Sequence, residues 1–384
     1  MRAAVPERVL MTTDAVGGVW QYSLELAAGL CRRGASVLLA AMGPAPSVAQ
    51  MKAASAIAGL SLVHRSYRLE WMSDYQDDLA LSAGWLEDLA AAFAPDIAHV
   101  NGYAHACLQW QCPVVVVCHS CVCSWWQAVR GGQPPREWDA YRARVAAGLR
   151  AADLVVAPTR AFLDAIERLY GIDPGRASAI PNGRGEGFRV GFSKEPFVFS
   201  CGRAWDEAKG IDIVDRLAAR LPWRVFVAGS TRTADGDVCR LPAHAHSLGT
   251  LSQDELATWL ADASLYVLPA RYEPFGLSIL EAAMSGCALV LSDLETLREL
   301  WDGAAIFVRT EDERGLYEAV MTLMRDPLLR HEMASRALLR AGRYSAEAMT
   351  EGYLKIYHQA TLNCRKARDG RRPDLVARNE VVVS

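Results

Sequence analysis

Short valine- and isoleucine-rich runs, set off by polar or turn residues and interleaved with helical patterns, recur along this chain, and the series runs twice. In the first half the runs are 8–12, 36–41, 97–101, 114–118 and Leu154–Ala157, with helical patterns at 19–30, Gln76–Phe93 and 138–151. Short, continuous apolar runs are typical of parallel strands, which helices cover on both faces and which have no wet side to mark by alternation. Strands alternating with helices predict a parallel sheet with helices on both faces. A glycine-rich, charged stretch at 184–192 reads as a hinge, and the pattern then restarts. Strands are predicted at 197–201, Arg224–Ala228, 265–268, 288–291 and 305–308. Helices are predicted at 211–220, 252–261 and Leu277–Met284, with further helices to about 363. A chain of 384 residues exceeds one ordinary core. The expectation is an α/β protein of two domains, 1–185 and 186–345, facing each other across a central cleft.

Composition narrows the function class. Apolar residues make up 51% and charged residues 22%, as in a packed globular chain. The net charge of -3 gives no global attraction to nucleic acid, so none is expected as a partner. The N-terminus has no signal-peptide pattern, and no run reaches about 18 apolar residues, the length of a membrane span. The ten cysteines are read as reduced thiols of a cytoplasmic protein. A zinc site joining His119 to the nearby Cys118, Cys121 and Cys123 is the alternative.

Residues 269–286 read PARYEPFGLSILEAAMSG. The strand before them delivers the segment to the C-terminal edge of the second sheet, where open α/β sheets bind ligands. Pro274 and Gly276 make the turn, and the helix that follows has free N–H groups to offer an anion. Glu273 and Glu281 lie eight residues apart, so both carboxylates can face one cleft. Carboxylates accept hydrogen bonds from the vicinal hydroxyls of a sugar or ribose. On spacing alone, a loop acid and a solvated helix acid explain the pair equally well.

This segment resembles the E-x7-E signature of retaining glycosyltransferases of the GT-B fold, two facing Rossmann-like domains, and in its EPFGLSILEAAMSG form it resembles glycosyltransferase family 4. Gly202, Arg203, Lys209 and Gly210 are similar to the family's G-R…K-G element. The resemblance implies that Arg203 and Lys209 meet the donor diphosphate, that Glu273 holds the sugar and that Glu281 holds the ribose. It also implies that the backbone of Phe275, Gly276 and Leu277 stabilises charge on the phosphate. Gly17 and Gly18, within DAVGGV, resemble the glycine loop of the N-terminal domain. His119 resembles the histidine beside the transferred sugar, and Asn182-Gly183 resembles the family's I-P-N-G element. A helix at 346–364 returning to the first domain is implied as well, followed by a flexible tail, 365–384.

The implied activity is retaining transfer of a hexosyl group from a nucleotide-diphosphate sugar, UDP-glucose first, to an acceptor hydroxyl. The alternatives are a GDP-mannose-dependent mannosyltransferase and a donor-binding homologue without transferase activity. An epimerase or a phosphorylase fits the E-x7-E pattern and the chain length less well. No cofactor or metal is expected, since two side-chain cations and helix dipoles supply positive charge and no D-x-D motif stands near the site. The acceptor class stays open between carbohydrate, lipid-linked and small-molecule hydroxyls, with its site in loops at 42–75 and 119–140. Trp20, which follows Gly17-Gly18, and Trp125, Trp126, Arg130 and Arg136 of the second loop are candidate acceptor contacts. Peripheral contact with the inner face of a membrane, and the oligomeric state, are left open.

Overall fold

The structure, a computed structural model, describes residues 5–72, 74–233 and 242–366. It divides into two compact units. The first comprises the chain up to Ser124, Gln133–Pro181 and the chain from Ala346. The second comprises Trp125–Gly132 and Asn182–Ser345.

The first unit is built on seven strands: β1 (Arg8–Asp14), β2 (Ser36–Met42), β3 (Leu60–His64), β4 (Ile97–Val100), β5 (Val114–Val117), β6 (Leu154–Ala157) and β7 (Ala177–Ala179). Their order is β3-β2-β1-β4-β5-β6-β7, and every pair is parallel. The second unit holds β8 (Glu195–Cys201), β9 (Arg224–Ala228), β10 (His246–Gly249), β11 (Ala263–Leu268), β12 (Ala288–Ser292) and β13 (Ile306–Val308). Their order is β10-β9-β8-β11-β12-β13, again all parallel.

Burial follows the apolar runs. β4, β5, β6, β11 and β12 are buried along their whole length. In the second unit successive residues divide between two cores. Tyr266, Leu268, Leu289 and Leu291 pack on one side of the sheet, and Leu265, Val267, Ala288 and Val290 on the other. That is the period-two alternation of a strand covered on both faces.

Both sheets reverse strand order at their centre, between β1 and β4 and between β8 and β11. In sheets of this kind the loops at such a reversal leave a crevice at the C-terminal ends of the strands, the usual ligand position within each sheet. Gly17-Gly18 follows β1, Asn101 follows β4, Gly202-Arg203 follows β8 and Glu273 follows β11. His119 follows β5, the neighbour of β4.

Three stretches differ from expectation. The span 42–75 is not only loop: it carries a helix, Val48–Ser55, with a capping box from Ser47 and Gln50, and the edge strand β3. The span 119–140 contains the helix Val122–Val129. Trp20 is 0% exposed and sits in the first unit's core, so its ring is closed to a ligand. The final helix, Ala346–Lys366, contributes Met349, Tyr353 and Tyr357 to that same core. The tail expected beyond it lies outside the described residues from 367 on.

Candidate functional site

In the second unit the candidate residues converge from three segments. The chain leaves β8 through Gly202 into a short 3-10 turn, Glu207–Lys209. Asp206 caps that turn, accepting from the Ala208 N–H at 3.1 Å. The turn is tied to the loop after β11 because Arg271 N–H donates to the Ala208 carbonyl at 2.7 Å, and the Arg271 guanidinium donates to the Glu207 carbonyl at 2.7 Å. These bonds bring Lys209 Nζ to 2.6 Å from Glu273 Oε2. Thr296 Oγ1 donates to the Glu273 carbonyl at 2.6 Å and holds the loop from the other side.

Arg203 is held differently. Its guanidinium lies 2.6 Å from Asp206 Oδ2 and stacks over the Trp205 ring. Trp125 Nε1 donates to the second oxygen of Asp206 at 3.1 Å. Burial alone would raise the Asp206 pKa. The charges of Arg203 and Lys209, with hydrogen bonds from Arg203 and Trp125, outweigh it and hold the carboxyl below its usual range.

Gly276 adopts φ 84° at the N-terminal cap of the helix Leu277–Met284. A Cβ there would lie 2.5 Å from Ile279 Cδ1, so the turn requires glycine on both counts. No side chain caps this helix and no acid occupies its first turn, which leaves its positive end unneutralised from within. Phe275 is buried in the core while Leu277 is partly open. Glu281 is 5% exposed, and its Oε1 lies 3.0 Å from Arg184 Nε. Arg184 stacks on Phe188, and its backbone N–H donates to the Tyr344 carbonyl at 3.1 Å. Glu281 is therefore a buried, paired carboxylate and not a solvated helix acid.

In the first unit Gly17 has φ 132° and Gly18 opens the helix Gly18–Cys31, also without a side-chain cap. His119 is half-buried, its Nε2 2.8 Å from Asn101 Oδ1, with the Tyr22 ring edge-on. Burial, and then the neighbouring His99, pushes the His119 imidazole down to about 3. Asn182 is 6% exposed, as a structural turn residue would be.

Sequence reasoning missed Asp206, Arg184, Arg271 and Thr296. Asp206 was within reach, being a carboxylate between the two cations of GRAWDEAKG. Arg271 lies two residues before Glu273, and Arg184 and Thr296 come from other segments; none of the three carries a local mark. Among the described residues no group of three or more His, Cys, Asp or Glu side chains is placed to hold a metal, and no cysteine is in a disulfide. No helix among them is long and apolar enough to cross a membrane.

The profile of Glycosyltransferase Family 4 matches residues 16–184, and that of Glycosyl transferases group 1 matches 195–326. A Campylobacter jejuni N,N'-diacetylbacillosaminyl-diphospho-undecaprenol alpha-1,3-N-acetylgalactosaminyltransferase is 31% identical over 31% of this chain and 31% of its own. A D-inositol 3-phosphate glycosyltransferase of Xylanimonas cellulosilytica is 27% identical over 91% of this chain and 93% of its own. The matched stretch thus spans about a third of one curated relative and nearly all of the other. Among solved structures, sucrose-phosphate synthase from Thermosynechococcus elongatus superposes with TM-score 0.77 at 18% identity, covering 92% of this chain and 98% of that one. Anabaena HepE in complex with UDP-glucose gives 0.69 at 14%, covering 91% and 98%. The two parallel sheets and these superpositions give the fold, that of the GT-B type, and the two profiles, which together run from residue 16 to 326, relate the chain to Glycosyltransferase Family 4 and Glycosyl transferases group 1.

Proposed function

We propose that the protein transfers a hexosyl group from a nucleotide-diphosphate sugar to an acceptor hydroxyl with retention of configuration, UDP-glucose being the first donor to test. One observation carries the reading. Lys209, at the end of the 3-10 turn, stands 2.6 Å from Glu273, in the loop before an uncapped helix N-terminus, and Arg203 lies on the loop between β8 and that turn. Such a set can take both ends of a sugar diphosphate. The helix end, Lys209 and Arg203 meet the phosphates, and Glu273 accepts from sugar hydroxyls.

As the bond from the anomeric carbon to the leaving phosphate oxygen breaks, negative charge grows on that phosphate. Arg203, Lys209 and the Phe275–Leu277 backbone would stabilise it by charge and hydrogen bonds, in the role a metal ion plays elsewhere. The acceptor oxygen bonds to the anomeric carbon on the face that the phosphate leaves, and its proton passes to the leaving oxygen. Glu281, paired with Arg184, is assigned to the ribose. Gly17-Gly18 gives a second uncapped helix end, and His119 takes a sugar hydroxyl. Neither glutamate acts as a glycosidase nucleophile, since the pair is divided between sugar and ribose.

The test is calorimetric titration of the full chain with uridine, guanosine, adenosine and thymidine diphosphate sugars, with and without EDTA. Binding of one donor that survives EDTA and disappears in Lys209→Ala supports the reading. Binding that EDTA abolishes removes the metal-independent part, and no binding of any donor removes the site. The donor so found is then offered polyprenyl-diphosphate-linked sugars and inositol phosphate as acceptors, the chemistries named in the two curated relatives. Guanosine diphosphate mannose as the preferred donor would make the chain a mannosyltransferase.

A further inference from the structure

Asn101, just after the C-terminal end of β4, is the centre of a part-buried hydrogen-bond network in the first unit. Its side-chain nitrogen lies 2.8 Å from the Thr12 carbonyl and 3.2 Å from Ser23 Oγ. A carbonyl can only accept, so the group facing it is the amide NH2, and the orientation of the Asn101 amide is decided. Its oxygen then points the other way, 2.8 Å from His119 Nε2 and 3.1 Å from His99 Nε2. An amide oxygen has two lone pairs and no proton, so both imidazoles must present Nε2–H to it.

The remaining ring atoms follow. His99 is 0% exposed, and its Nδ1, now unprotonated, accepts from the Tyr357 hydroxyl at 2.8 Å. Its Nε2–H also lies 3.2 Å from the Tyr22 hydroxyl. His119 has no such second partner among the described residues, and its Nδ1 keeps its lone pair at a half-buried position.

We propose that Asn101 is a positioning residue for His119: its amide oxygen holds the ring as the Nε2–H tautomer and leaves Nδ1 as a hydrogen-bond acceptor for a substrate hydroxyl. The inference rests on the transfer reading above. It makes His119 a reader of hydroxyls that donate, so a fluorine in place of the hydroxyl it meets would lose the contact, because fluorine brings no proton. Ionisation does not blur the assignment. Burial pushes both imidazoles down to about 3, His119 with the help of His99 and His99 against the opposing Asn101 bond, so both rings are neutral at working pH. His99 and Tyr357 act through Asn101, and Thr12 and Ser23 orient it.

The test is long-range proton–nitrogen NMR of the full chain with ring-labelled histidine, the His119 signals being assigned by their loss in His119→Gln. The wild type is expected to show protonated Nε2 and bare Nδ1. Asn101→Ala removes the acceptor, and the His119 nitrogens should shift toward a mixture of tautomers. Asn101→Asp keeps an acceptor and should keep Nε2–H. If Asn101→Ala does not fold, Asn101→Ser, whose hydroxyl falls short of the imidazole, takes its place. Wild-type His119 carrying its proton on Nδ1 would overturn the proposal, as would nitrogens that do not respond to loss of the amide. In transfer assays Asn101→Ala should lower kcat on the order of tenfold with donor binding little changed. If the spectra come out as expected and the wild type transfers from no donor, the transfer reading fails while the tautomer assignment stands.

Discussion

Each cation of the candidate donor site has a carboxylate partner within the second unit, and this shapes what single substitutions do. Lys209 and Glu273 have side chains only 18% and 10% exposed, so either one alone is a charge left in a poorly solvated place. Lys209→Ala is expected to destabilise the fold by about 3 kcal/mol, the usual result of breaking one half of a buried pair. It should also lower kcat/KM by roughly a hundredfold or more through lost stabilisation of the leaving phosphate. Urea denaturation and initial rates measure the two effects, and wild-type rates in the variant would remove Lys209 from the chemistry.

Asp206 makes a pH prediction. Its folded pKa lies below the unfolded value near 3.8, so its stabilising contribution is present above that value and lost as pH falls through the folded one. Asp206→Asn should be less stable than wild type at neutral pH and should close the gap in acid. A gap constant down to about pH 2 would contradict the assignment. His99 works in a higher window. Its folded pKa of about 3 lies below the ordinary 6.5, so the unfolded chain binds the proton first and stability drains away as pH falls from 6.5. The urea midpoint of wild type should therefore drop between about pH 6.5 and 5 by more than that of His99→Gln.

At the scale of elements, the donor site depends on short pieces held in place by their neighbours. The helix Leu277–Met284 has only eight residues, too few to be stable alone, and it persists because Ile279, Leu280, Ala282 and Ala283 are buried. Its start depends on Gly276. Gly276→Ala places a Cβ 2.5 Å from Ile279 Cδ1 at positive φ, and about 1–3 kcal/mol of strain follows. The expected outcome is a lowered Tm together with weakened donor binding, because the strained residue is the one that aims the helix N-terminus. A fall in Tm with unchanged donor affinity would separate the turn from the site.

At the scale of the molecule, the last described helix rejoins the unit that holds the first strands. The helix Ala346–Lys366 belongs to the first unit, and Tyr353 and Tyr357 are 0% and 1% exposed in its core. The fit is close at Gly29 of the first helix, where an added Cβ would fall 2.0 Å from Thr350 Oγ1. A chain stopped at residue 345 should lose the near-ultraviolet circular dichroism of the first unit, since its core would open along one side. A truncated chain with that signal intact would make the helix an accessory.

Much of this could be read without coordinates, for an identifiable reason. Short valine-rich runs without alternation, interleaved with helical patterns, favour parallel strands under helices, and turn chemistry at Gly276 and the carboxylate spacing in 273–281 are local properties of the chain. Period therefore pointed to the central strands of both sheets, and the resemblance of 273–286 to known transferases, more than spacing, marked the donor segment. The edge strands β3, β7 and β10 were not legible, because a short, partly exposed strand carries too weak a pattern. Pairings were not legible either. Arg184 reaches Glu281, Trp125 reaches Asp206 and Tyr357 reaches His99 across 97, 81 and 258 positions of sequence. Only the packed chain brings such groups together, and it was the packing that decided the ionisation of Asp206, the burial of Glu281 and the orientation of the amide that faces His119.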